Sequence, residues 1–275
     1  MTSDPSSPPA EIGDDAQDDA PDDAWADLRR LTAARIGLPR SGASLATGPL
    51  LEFRLAHARA RDAVHAPLDA ERLRAALAPL GLPVLAIGSA VRDRAQYLMR
   101  PDLGRQLAAD SASLLESHAG GGDDVALVVS DGLSAHAVAR HAQPLLAALL
   151  PRLRAADWRI APVTIVRQGR VAIGDAVAEL LEARAVVVLI GERPGLSAPD
   201  SMGAYMTWQP GPRTTDADRN CISNIRPEGI DPADAAVKVM QLLRAMRARQ
   251  LSGVALKDET EQDLIEARRA DWPKA

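Results

Sequence analysis

The sequence predicts an α/β fold: a doubly wound, mostly parallel sheet with flanking helices, preceded by a helical N-terminal region and a disordered acidic tail. Two observations carry the sheet. From about residue 81 onward, short β-branched-rich apolar runs alternate with amphipathic segments of helical length. Some of these runs, such as Val186-Val187-Val188-Leu189-Ile190, are unbroken, as a strand buried on both faces requires. A third observation marks the tail. Residues 1–24 carry eight acids (Asp4, Glu11, Asp14, Asp15, Asp18, Asp19, Asp22 and Asp23) and no base, a solvated and self-repelling composition.

Residues 25–80 read as mostly helical. Thr47-Gly48-Pro49 is a helix start, with proline at the first helical position, where its missing N–H costs nothing. Leu50, Phe53, Ala56/His57 and Ala60 then recur at helical spacing, and Arg54, Arg59, Arg61 and Asp62 take the other faces. Strands are predicted at Val84–Ile87, Val125–Val129, Arg159–Val166 and Ala185–Ile190, each bounded by Gly, Asp or Pro. Between them lie helices at Leu103–Leu115, at Ser134–Leu150 (with Pro144 kinking or restarting it) and at Ile173–Leu181. A last helix starts at Asp231 as N-cap, followed by Pro232 and Asp234, with Ala236, Met240, Leu243 and Met246 facing inward. The chain thus divides into the tail (1–24), a helical region (25–80), an α/β domain (81–252) and a C-terminal tail (253–275), with no internal repeat.

Composition removes several classes. Of 275 residues 47% are hydrophobic, the level of a globular protein. Cys221 is the one cysteine, so there is no internal disulfide and no cysteine-built zinc or iron–sulfur site. No apolar run approaches the roughly 18 residues of a membrane span, and the acidic, Pro/Ser-rich N-terminus is the opposite of a secretory signal. The expectation is a soluble protein of a reducing compartment. The net charge is −5, so the chain outside the −8 tail carries +3, too near neutral for duplex nucleic acid to be the main partner.

Folds of this class bind ligands beyond the carboxyl ends of their strands. Three such ends qualify: Ser130-Asp131-Gly132 after Val129, Gly169-Arg170-Val171 after Val166, and Gly191-Glu192-Arg193-Pro194-Gly195 after Ile190. Each alone reads as an ordinary turn; three together suggest a crevice. Nucleotide signatures fail. Gly169 and Gly174 have P-loop spacing, but Asp175-Ala176 stands where Lys-Ser/Thr is needed, and Gly120-Gly121-Gly122 precedes a strand instead of following one. Ser130, Asp131, Ser134 and His136 crowd together without the Gly-x-Ser-x-Gly elbow of a hydrolase. His57, His65, His118, His136 and His141 lack ligand spacing and read as surface or hydrogen-bonded histidines. Glu192 stands out: a carboxylate at the exit of a buried strand needs donors, either Arg193 or a backbone N–H, or an amide- or hydroxyl-rich ligand. Cys221 reads by default as a small buried apolar residue.

At these same residues the sequence resembles the small (light) subunit of ethanolamine ammonia-lyase. The resemblance is carried by Arg35-Ile36-Gly37-Leu38 and Gly42-Ala43-Ser44-Leu45, by the stretches Leu55–His65 and Tyr97–Arg105, by Ser130-Asp131-Gly132-Leu133-Ser134-Ala135, by Gly191-Glu192-Arg193-Pro194-Gly195-Leu196, and by Asp218–Ile225. It covers about residues 30–250 and leaves out the acidic tail. It implies a carbon–nitrogen lyase that converts ethanolamine and similar vicinal amino alcohols to an aldehyde and ammonia by adenosylcobalamin-dependent radical chemistry. It further implies activity only with a large subunit that holds most of the substrate, in a hexamer of heterodimers. On this resemblance 81–252 is a cobalamin-binding domain, 25–80 supplies a subunit contact, and the cobalamin contacts fall on Val171, Glu192 and Cys221. No catalytic residue and no protein metal ligand is assigned to this chain: the Asp-x-His-x-x-Gly signature of histidine-ligated cobalamin is absent. The implied location is cytoplasmic, within a bacterial microcompartment in some members. A stand-alone α/β small-molecule binding or regulatory protein is the other reading that the residues allow.

Overall fold

The computed structural model describes residues 25–256; the acidic tail (1–24) and residues 257–275 lie outside the described residues. The chain divides between Leu51 and Glu52 into two compact units. In the first, α1 (Ala26–Arg30) is followed by a two-stranded hairpin, β1 (Arg40–Ser41) and β2 (Ser44–Leu45), which pairs Arg40 with Leu45 and Ser41 with Ser44. Helical spacing gave no sign of this hairpin, whose turn is Gly42-Ala43. Helix α2 (Thr47–His65) starts at the expected Thr47-Gly48-Pro49 and crosses the division.

In the second unit α3 (Ala70–Leu77) is capped by Asp69, whose carboxylate accepts from the N–H of Arg72 at 2.9 Å. The sheet then builds from β3 (Val84–Gly88), β4 (Val125–Ser130), β5 (Val163–Arg167), β6 (Ala185–Gly191), β7 (Met202–Trp208) and β8 (Arg219–Ile225). Their order is β3-β5-β4-β6-β7-β8, the first four parallel and the last two antiparallel. The interleaved helices are α4 (Arg94–Met99), α5 (Ala109–Glu116), α6 (Ala135–Ala155), α7 (Ile173–Leu180) and α8 (Pro232–Arg249). Among the described residues no helix is long and apolar enough to cross a membrane.

Period-two alternation explains the unbroken apolar runs. In β4, Val125, Leu127 and Val129 face a core shared with α3, α6 and α8, while Ala126 and Val128 face a second core with α5 and α7. In β6, Ala185, Val187 and Leu189 enter the first core and Val186, Val188 and Ile190 the second. Helices on both faces keep both strands apolar until the ligand-side end of β4, where buried Ser130 is the one polar residue of the two. Gly174 of α7 marks how closely the layers approach: a Cβ there would lie 2.3 Å from Cγ2 of Val188. Gly174→Ala is therefore expected to lower folding stability by about 1–3 kcal/mol in chemical denaturation, the usual cost of overpacking a core.

Several expectations are corrected. The strand predicted at Arg159–Val166 begins only at Val163, with Ile160 bridging separately to Val125. The helix predicted at Leu103–Leu115 is a 3-10 turn at Leu103–Arg105 followed by α5. Between them Gln106 to Ala108 run extended against β3, where Ala90 N–H donates to Gln106 O and Ala108 N–H to Gly88 O; those sheet-like bonds outweigh local helical periodicity. Helix α6 neither restarts nor ends at Pro144 but runs through both Pro144 and Pro151. Nine buried side chains from Ala137 to Leu153 hold it to the sheet, which offsets the lost backbone bonds. The antiparallel strands β7 and β8 were not expected. They make the sheet mixed, within the predicted α/β class.

Candidate ligand-binding cleft

Helix α6 leaves β4 toward one face of the sheet and α7 leaves β5 toward the other, so the chain parts above the adjacent ends of these two strands. Such a switch point is where open α/β sheets bind ligands. A cleft of about 420 Å³ opens there, lined by Gly132 and Leu133 after β4, Arg170 and Val171 after β5, Ile190 to Arg193 at the end of β6, Tyr97 of α4 and Tyr205 of β7. All three predicted strand ends meet in it.

Glycine sets the floor. Gly132 has φ +52°, and a Cβ on it would lie 2.4 Å from the carbonyl oxygen of Gly191. A Cβ on Gly191 would in turn lie 2.1 Å from Ser134 O. The two loops touch backbone to backbone, joined by Leu133 N–H donating to Gly191 O at 2.9 Å.

Glu192 is half-buried at the rim, and its donors come from Ser201, just before β7, and from β8 instead of Arg193. The Ser201 hydroxyl donates to Oε2, the Ser223 hydroxyl to Oε1 at 2.5 Å, and the Asn224 N–H to Oε2 at 3.2 Å. An ionised carboxylate has about four acceptor sites. With three engaged, Glu192 keeps roughly one, on Oε1, for a ligand's N–H or O–H.

Opposite, Tyr97 is fully buried and two guanidinium groups lie over its ring, Arg94 at 4.6 Å and Arg170 at 4.0 Å from the centroid. Its hydroxyl donates to Gly169 O at 3.1 Å, and Arg170 Nη2 donates back to Tyr97 O at 3.0 Å. Burial, only partly opposed by Arg170, pushes the Tyr97 phenol well above its ordinary range, so it stays a neutral donor. Val171 sits half-buried beside this stack.

Cys221 does not line the cleft. It pairs across the ladder with Tyr205, which does, and it is exposed, not buried as expected, because β8 is the sheet's edge. Although the residue is exposed, partial burial of its sulfur pushes the thiol pKa up and nearby Glu192 adds to this, with Tyr205 opposing, which disfavours a thiolate. Tyr205 is likewise raised, first by burial and then by Cys221 and Glu192.

Beneath the cleft lies Asp131, 3% exposed. Its Oδ1 accepts from Gln168 N–H at 2.7 Å and its Oδ2 lies 3.8 Å from Arg94 Nη1. Burial raises its pKa from an ordinary 3.8 to about 6, with Arg94 and the Gln168 N–H opposing. The stability linked to this group is complete below 3.8 and is lost as pH rises through about 6. Asp131→Asn is thus expected to raise the melting temperature at neutral pH relative to the parent and to lose that advantage in acid.

The remaining candidates resolve simply. Ser130 donates to Gly169 O at 3.2 Å and Ser134 to Pro199 O at 3.0 Å; neither hydroxyl has a histidine partner in the network. Gly169 is a packing glycine, since a Cβ there would lie 2.7 Å from Ser130 Oγ. His141 departs from expectation: it is buried, with Nε2 3.9 Å from Asp200 and no hydrogen-bond partner, and burial lowers its pKa. Arg170 was part of a strand end that the sequence singled out, whereas Tyr97 and Tyr205 of the cleft, and the Glu192 donors Ser201 and Ser223, were not singled out for the site. For these four the signal lay only in the tertiary fold.

The donor set suits one edge of a large, amide-rich ligand: a carboxylate with an acceptor site to spare, the Arg170 Nε buried without a hydrogen-bond partner among the described residues, and apolar patches from Leu133, Val171 and Ile190. The profile of the family described as ethanolamine ammonia-lyase light chain (EutC) matches residues 22–257. The chain is 56% identical over 262 residues to the ethanolamine ammonia-lyase small subunit of Ralstonia nicotianae, covering 94% of this chain and 97% of the relative. It is 57% identical over 240 residues to the protein of the same name from Azotobacter vinelandii (86% and 89% covered), and 55% identical over 246 residues to that of Xanthomonas campestris (88% and 90%). Matched over most of its length by the family profile and by relatives above half identity, this chain belongs to the ethanolamine ammonia-lyase light chain family.

Proposed function

We propose that this chain is the small subunit of an adenosylcobalamin-dependent ethanolamine ammonia-lyase, and that the cleft at the ends of β4, β5 and β6 holds one edge of the cobalamin against a large subunit. The observation that carries this is the convergence of Val171 and Glu192 on one cleft at the sheet's switch point, with Cys221 next to its Tyr205 wall. When bound, adenosylcobalamin supplies the radical chemistry that takes ethanolamine to acetaldehyde and ammonia.

The chain's own residues bind, orient and exclude water. Glu192 accepts a corrin side-chain amide N–H on its remaining Oε1 site, and the Ser201 and Ser223 hydroxyls and the Asn224 N–H fix the carboxylate's direction. Val171, Leu133 and Ile190 cover apolar corrin edge and keep solvent off it. Cys221 acts as a compact contact at the rim, not as a cobalt ligand. The large subunit closes the open side and holds the substrate. The exposed apolar side chains Phe53 and Leu55 of α2, interleaved with Arg54 and Arg59, are a suitable contact for it, in an assembly of six heterodimers.

The test is aldehyde release from ethanolamine by the co-purified pair of chains, with and without adenosylcobalamin. Activity that requires both chains and the cofactor is expected. A stable but inactive complex, with a large subunit that works beside another small subunit, would instead favour a non-catalytic small-molecule binding role.

A further inference from the structure

We propose that Asp131 is a positioning residue that sets how tightly the cleft grips cobalamin, acting through the Gln168–Val171 loop and the α4 wall without touching the ligand. The proposal rests on the cobalamin reading of the cleft. Asp131 does not line the cleft, yet it meets two of the segments that do. Its Oδ1 holds Gln168 N–H at 2.7 Å, at a residue with φ +57°, where the chain turns out of β5 into Gly169-Arg170-Val171. Its Oδ2 faces Arg94 at 3.8 Å. Arg94 donates through Nη1 to Gly132 O at 2.9 Å and through Nε to Val64 O at 2.6 Å, and it stacks on Tyr97. Tyr97 then returns to the loop through its hydroxyl on Gly169 O and through Arg170, whose guanidinium also lies over its ring. The circuit closes on the wall that carries Val171.

The groups facing the carboxylate are few. From α4 they are Arg94, with Tyr97 behind it; from the β5–α7 loop, the Gln168 N–H, with Arg170 beyond Tyr97; from β4 itself, the Ser130 hydroxyl at 3.5 Å. Arg94 is thus the charge that answers an ionised Asp131, through Nη1 at 3.8 Å, while its buried Nη2 has no hydrogen-bond partner among the described residues. The fold itself is better served by a neutral group here, because burial disfavours the charge. A charge kept where it costs stability points to a role in holding the wall. A merely structural residue would show stability and binding falling together, whereas a positioning role separates them.

The experiment uses the complex with the large subunit, as parent and as D131N, and follows cyanocobalamin binding by equilibrium dialysis across pH values on either side of about 6, alongside thermal unfolding. Expected for the parent is an affinity that falls as pH drops through that region. Expected for D131N is an affinity about tenfold weaker at neutral pH, the size of one lost charged contact, with no such pH step and no loss of melting temperature. Arg94→Gln, which removes the counter-charge from α4, is expected to move the parent's step to higher pH. Equal affinity and an unchanged step in D131N would overturn the proposal, as would weaker binding matched by a lower melting temperature. A parent complex that binds no cyanocobalamin overturns the cofactor reading first, and this role with it.

Discussion

Glu192→Ala is expected to weaken cobalamin binding by the assembled enzyme roughly tenfold to a hundredfold, the equivalent of about 1.5–3 kcal/mol for one charged hydrogen-bond acceptor. The loss has two parts. The ligand forfeits the carboxylate's remaining Oε1 site, and the hydroxyls of Ser201 and Ser223 and the N–H of Asn224 lose the acceptor that ties the ends of β6, β7 and β8 together. Glu192→Gln is expected to fall between: it keeps the volume and one acceptor, but it turns an amide N–H₂ toward groups that are themselves donors. Cofactor titration reads both variants. A parent-like dissociation constant for Glu192→Ala would remove Glu192 from the working part of the cleft.

Arg219→Leu is expected to cost more in stability than any other single change considered, about 3–5 kcal/mol, because it strands a buried carboxylate. The Arg219 side chain is only 3% exposed and meets Asp175 of α7 in a two-pronged pair, Nη1 to Oδ1 and Nη2 to Oδ2, both at 2.7 Å, with Thr207 accepting from Nη1 at 3.1 Å. Burial alone would lower its pKa; Asp175 and Asp216 more than reverse that, so the charge persists. The pair pins the first strand residue of β8 to the helix that follows the Arg170-Val171 loop. Urea denaturation measures the loss, and adding Asp175→Leu should recover much of it by removing the stranded charge. Equal stability of Arg219→Leu and parent would mean that the pair contributes nothing net.

Which parts of the fold were legible follows from which faces are covered. Strands β4 and β6 are buried on both sides and so print as continuous apolar runs, readable without any neighbour. Strand β7 contains Gly203 and Ala204 and little β-branching, and β8 carries Asn220, Ser223 and Asn224 on an edge with one open face. Their strand character comes from the ladder that β6 offers, not from local preference. The cleft divides the same way. Glu192 was conspicuous because a carboxylate at a buried strand's exit demands donors, but those donors lie 9, 31 and 32 residues downstream. Tyr97 reaches Gly169 across 72 residues, a pairing that no local spacing encodes. Val171 and Cys221 were reached through family resemblance, and physics alone would have ranked Arg170 and Tyr205 as highly.

The central claim is that the ends of β4, β5 and β6 together grip the cofactor. Amide hydrogen exchange of the two-chain complex, with and without cobalamin, addresses it most directly. Slowed exchange is expected at Gly132-Leu133, Arg170-Val171 and Gly191-Glu192-Arg193 on cofactor addition, with little change at the opposite ends of the same strands. Cofactor binding that leaves all three segments unaltered, or that protects a different face of this chain, would contradict it.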